Sequence, residues 1–92
     1  MKKQPVAKKL ASAKKLASAS INLGKEVGKI ERLPINEAGQ EQIRFSVWRQ
    51  GKMLDRPLSL TEKELVDLIQ AGIREGILSR DFIGELHTVI EI

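Results

Sequence analysis

The sequence predicts one small α+β domain: a sheet of three to four short strands, then an amphipathic helix, then a C-terminal helix or strand. Three observations carry this reading. Residues 42–50 alternate, with Ile43, Phe45 and Val47 on one face and Arg44, Ser46, Trp48 and Gln50 on the other. Thr61-Glu62-Lys63-Glu64 is a capping box that opens an apolar stripe of helical period. A chain of 92 residues, 41% of them hydrophobic, can build one core and no second domain.

The chain opens on a basic arm, residues 1–20, rich in Lys, Ala and Ser. Residues 8–19 repeat KKLASA twice, which is low-complexity sequence and too short for a solenoid. As a helix the arm would align Val6, Leu10, Ala13, Ala17 and Ile21, but an isolated helix of this length is marginal in water. We therefore expect a flexible or helical arm that orders on a partner, followed by a single folded domain over residues 21–92.

From Ile21 the β-branched residues and Gly24 and Gly28 fit one bent or bulged strand that ends at Pro34. Residues 36–40 are a polar loop. The alternating strand follows, then a turn at Gln50-Gly51, then a strand from about Lys52 to Leu60 that Pro57 confines to an edge or a bulge. The helix after Thr61 places Leu65, Leu68, Ile69, Gly72 and Ile73 on one stripe, and Gly76 is positioned to end it in a left-handed cap. Beyond it Ser79 can cap a helix over residues 80–89 with Phe82, Ile83, Leu86 and Ile90 on one side. The alternation of Leu86, Thr88, Ile90 and Ile92 is the competing strand pattern.

Composition excludes much chemistry. The chain has no cysteine and one histidine, His87, so disulfides, thiol catalysis and histidine-based metal clusters are out. No apolar run approaches the roughly 20 residues of a membrane span. The start lacks a secretory pattern, so an intracellular protein is expected; a mitochondrial presequence is the weaker fit, because its cations are lysines. No phosphate-cradling glycine loop or catalytic constellation is visible, which points to a binding module. We expect no enzyme activity, no cofactor, no metal, no membrane partner and no small-molecule substrate.

Charge is segregated. Seven lysines and no acid lie in residues 1–25, so the remaining residues carry −3 of a total of +4. A basic arm on a mildly acidic body fits a polyanionic partner, with Lys8, Lys9, Lys14 and Lys15 as phosphate contacts. Trp48 and Arg44 share the polar strand face, with Lys52 and Arg56 nearby in sequence. That pattern fits a stacking platform for unpaired bases beside phosphate-binding cations. The small core also predicts a homodimer whose capped helices cross near Gly72, burying Leu65, Leu68, Ile69 and Ile73.

INLGK (21–25), IRFSVW (43–48), GKM (51–53) and LSLTEKEL (58–65) together resemble the positive cofactor four family of transcriptional coactivators and its bacterial and phage relatives. The resemblance covers residues 21–73. It implies a curved antiparallel sheet followed by a dimerising helix, with single-stranded DNA preferred on the sheet. It places Lys25, Arg44, Trp48, Lys52 and Arg56 at or near the nucleic-acid surface, although Arg56-Pro57 stands where the family has Lys-Gly. Such a protein would be cytoplasmic and nucleoid-associated in a bacterium or phage, and nuclear in a eukaryote. Two alternatives remain: a ribbon–helix–helix repressor of duplex DNA built from residues after Pro57, and a protein-interaction module that touches no nucleic acid.

Overall fold

Each polar or glycine-containing junction of the described chain closes a turn. In the computed structural model, which describes residues 17–91, β1 (Ala17–Asn22), β2 (Val27–Leu33), β3 (Gln42–Arg49) and β4 (Lys52–Met53) form one antiparallel sheet in that order. Two helices follow, α1 (Glu62–Arg74) and α2 (Arg80–Ile90). The predicted α+β class holds.

The β1–β2 connection is tied locally. The Leu23 N–H donates to the Glu26 carbonyl at 2.8 Å, and the Asn22 side chain accepts the Gly24 N–H at 2.9 Å. The single bent strand expected over residues 21–35 is therefore a hairpin. Its first strand begins at Ala17, inside the segment expected to belong to the arm, because Ala17↔Arg32 through Asn22↔Val27 pair continuously. The helical reading of residues 8–16 lies outside the described residues.

Between β2 and β3, the Asn36 side chain accepts the Ala38 and Gln40 N–H groups at 2.8 and 3.1 Å, fixing the loop. The β3–β4 turn has Gln50 at φ 52° and Gly51 at φ 81°, the two positive values that a two-residue type I′ hairpin needs. The strand expected to run to Leu60 stops at Met53. One further bond, Leu54 N–H to the Val47 carbonyl at 2.8 Å, extends the ladder before residues 55–56 bend away ahead of Pro57, which has no N–H to offer.

Both helix starts are as predicted. The Thr61 hydroxyl accepts the Glu64 N–H at 3.1 Å, while the Glu64 carboxylate accepts the Thr61 N–H at 2.9 Å. Ser79 accepts the Phe82 N–H at 3.0 Å. Such caps contribute about 1 kcal/mol each. α1 ends in a Schellman motif: the Gly76 N–H reaches the Ile73 carbonyl and the Ile77 N–H reaches the Gly72 carbonyl, at 3.1 and 2.8 Å. Gly76 takes the left-handed conformation the motif requires, at φ 76°.

α1 lies over β1 and β2 on one face of the sheet. The core there is Ala19, Ile30, Leu68, Ala71, Ile77 and Leu78, with Ile21, Ile43, Leu58, Leu60 and Ile69 packed around it. Ile30 and Leu68 are fully buried, and burial of each contributes about 2–3 kcal/mol. Phe45, on the apolar face of β3, stays 47% exposed because α1 lies mainly over β1 and β2. On the same face the Arg32 Nε donates to the Ile77 carbonyl at 2.8 Å, pinning the α1–α2 link to β2.

Gly72 meets the sheet and not another helix. A Cβ there would stand 3.3 Å from Ile30 Cδ1 and 3.4 Å from its Cγ2. The expectation of a helix crossing at Gly72 is thus corrected: the close approach is internal. Gly72→Leu should overpack this contact and cost about 3 kcal/mol, read as a lowered urea midpoint; an unchanged midpoint would mean that α1 is free to lift off β2.

Candidate nucleic-acid interface

The strand register sorts the side chains of the opposite face. Ser18, Glu31 and Arg44 lie across from one another, as do Ser20, Lys29 and Ser46, and then Asn22, Val27, Trp48 and Met53. Neither helix lies on this face, which is polar apart from Val27, Leu33, Trp48 and Met53.

Five of these residues form one network. Lys29 Nζ stands 3.9 Å from the centroid of the Trp48 ring, a cation–π contact. Trp48 Nε1 donates to Ser46 Oγ at 2.8 Å, and Ser46 Oγ donates to Glu31 Oε1 at 3.3 Å. Arg44 Nε donates to the same carboxylate oxygen at 2.9 Å. Glu31 is fully buried and Ser46 nearly so. A carboxylate so enclosed needs a cation and hydrogen-bond donors to hold its charge, and Arg44 and Ser46 supply them.

Of the residues expected at the interface, Arg44 and Trp48 are brought together, but neither stands free. The Arg44 guanidinium is tied to Glu31, and Lys29 covers part of the half-buried Trp48 ring. Lys25 is exposed in the β1–β2 turn, at the Trp48 end of the sheet. Arg56 reaches the same end and is ion-paired with Glu26 in that turn. Lys52 is a correction: it pairs with Arg49, one step from Trp48↔Met53, so strand alternation turns it to the helix-bearing side. Lys8, Lys9, Lys14 and Lys15 lie outside the described residues.

The stripe expected at a dimer interface is divided. Leu68 and Gly72 are buried in their own core and Ile69 packs against it, so these three are corrected to internal positions. Leu65 and Ile73 remain exposed on the flanks of α1, with Val66.

Sequence reasoning missed Lys29 and Glu31. Once the hairpin is broken at Gly24, period two counted from Val27 sets both on the polar side. Glu31 then faces Arg44, an opposite-charge cross-strand pair visible in the sequence. Among the described residues no three His, Cys, Asp or Glu side chains gather to hold a metal ion, and no helix is long and apolar enough to cross a membrane.

Removing Arg44 leaves Glu31 buried without this cation. Arg44→Ala should cost about 2 kcal/mol, below the 3–5 kcal/mol of a fully enclosed pair, because the arginine side chain is 38% exposed. Thermal or urea unfolding reads this directly; stability equal to wild type would show that the pair holds nothing in place. Comparison with family models, with curated proteins and with solved structures finds no match to this chain.

Proposed function

We propose that this protein binds single-stranded nucleic acid, with DNA preferred, across the helix-free face of its sheet, and that it acts as a binding protein without catalysis. The observation that carries the reading is the pair formed by Trp48 and Lys29. An aromatic ring and an ammonium held 3.9 Å apart on a polar sheet face are the two elements that sequence-tolerant single-strand binding uses. A base stacks by taking over the part of the ring that Lys29 now covers. The displaced ammonium is then free to pair with a phosphate of the bound strand. Lys25 lies at the same end of the sheet and extends the cationic track. Arg44, spent on Glu31, serves mainly to hold the strand pair and only secondarily as a phosphate contact.

The arm supplies the non-specific electrostatic term. Six lysines precede Ala17, where β1 begins. The ribbon–helix–helix alternative wants a strand leading directly into the first of two helices, and residues 54–60 form no strand.

The decisive measurement is a salt series of binding to matched single-stranded and duplex oligonucleotides, followed through Trp48 emission, the chain holding one tryptophan. Single-stranded DNA should bind more tightly and change the emission. Trp48→Ala should lose about 1–3 kcal/mol of single-strand affinity with the fold retained. Lys29→Ala should make the salt slope shallower by about 0.7, one phosphate contact. Deleting residues 1–16 should flatten the slope further and leave the sheet intact. Tighter duplex binding, or emission indifferent to oligonucleotide, would remove the proposal.

A further inference from the structure

On the helix-free face one hydroxyl links the buried carboxylate to the indole ring. Ser46 Oγ donates to Glu31 Oε1 at 3.3 Å and accepts the Trp48 Nε1–H at 2.8 Å. A serine hydroxyl has one proton and two lone pairs. With the proton drawn to a carboxylate, a lone pair is left to face the indole, and the direction of the relay is set. The strand makes this contact local, because Ser46 and Trp48 stand two residues apart on β3 and share a face. Lys29, across from Ser46 on β2, stands 3.9 Å from the ring centroid.

The relay restricts the ring. A tryptophan on a strand has several χ1 wells and a broad χ2, so the backbone alone leaves it a choice of orientations. A 2.8 Å bond to a side chain that is itself 5% exposed removes that choice. Nε1–H is also the one polar group of the indole. Turned to Ser46, it is spent inside the protein, and the ring offers a ligand its π-face. Every base has such a face, so a ring held in this way stacks without selecting by hydrogen bond. Ser46 is too deeply buried to reach a bound strand, so its influence on binding passes through Trp48.

We infer that Ser46 is a positioning residue of the single-strand site, holding the Trp48 indole in its stacking orientation before nucleic acid arrives. Glu31 acts one step further back, by fixing the Ser46 hydroxyl. The inference rests on the single-strand reading and adds to it a residue that neither charge nor aromaticity would select. Ordering the ring in advance removes a cost that would otherwise be met on binding.

Time-resolved anisotropy of Trp48 emission in the unliganded full chain reads the ring directly, since the chain holds one tryptophan. The wild type should show no sub-nanosecond depolarisation of the ring, and Ser46→Ala should show a clear fast component. In a titration with oligothymidylate, Ser46→Ala should bind about 5-fold more weakly, the equivalent of ordering one side chain on binding. Its salt slope should be unchanged, because no charge is lost. Ser46→Thr keeps the hydroxyl and should recover both rigidity and affinity. A wild-type ring that already depolarises freely overturns the inference whatever the variants do. So does a Ser46→Ala chain that binds as tightly as wild type, or one whose weaker binding comes with a shallower salt slope. A wild-type chain that binds no oligothymidylate removes the single-strand reading and this inference with it, an outcome the wild-type titration alone identifies.

Discussion

The contact between Ile30 and Gly72 is the constraint on which the other features depend. α1 can lie close to β2 only because no side chain intervenes at Gly72, and Ile30 fills the space to completion. The next residue along β2 is Glu31, also fully buried, on the other side of the sheet. β2 is thus enclosed on both faces by adjacent residues of opposite character. A slip of one residue in its pairing would exchange Ile30 with Glu31, putting a carboxylate against Leu68 and an isoleucine against Arg44. That penalty pins the register, and the register is what brings Lys29 opposite Ser46 and beside Trp48.

The same enclosure shapes the electrostatics of the polar face. A buried carboxylate at its centre works against the attraction of phosphates that we propose for this face. It makes sense as an organiser: it fixes Arg44 and Ser46, and Ser46 in turn fixes the indole of Trp48. The ring is presented in one orientation at little entropic cost on binding. On this face and at its rim, among the described residues, positive charge outside the ion pairs is carried by Lys29 and by Lys25 in the turn. On the proposed reading, ordering of the ring and attraction of phosphate are therefore divided between different residues.

What was legible in the sequence was whatever rests on local chemistry. The two helix caps, the Gly76 stop and the Gln50-Gly51 turn depend on side chains within a few residues of one another, and each is where the sequence puts it. The alternation of Ile43 to Trp48 likewise survives as a face assignment. The errors came where a tertiary fact decides. Gly24 reads equally as a bulge or as a hairpin turn until β1 is seen to pair with β2, and β1 itself, ASASIN, is too poor in β-branched residues to announce a strand. Phe45 lies on the apolar face of β3, but that face is only half covered by α1. Gly72 is a point of close approach, as its place in the stripe suggests, but to the sheet and not to a second helix. Its neighbour turned out to be a strand side chain contributed from 42 positions earlier in the chain.

The sheet also sets the distance between Ala17 and the Trp48–Lys29 pair. Ala17, where the arm enters, pairs with Arg32 at one end of the β1–β2 ladder, and Asn22 pairs with Val27 beside Trp48 at the other. Six residues of strand separate them, a span of about 17–20 Å. On the proposed reading, a flexible single strand running along β1 would offer an unstacked base to the Trp48–Lys29 pair, whereas a stiff duplex would have to lie along the same line without offering one. The geometry that costs a single strand little costs a duplex its pairing. The preference for unpaired nucleic acid that we propose would therefore rest on the placing of one ring at the far end of a short strand as much as on the ring itself.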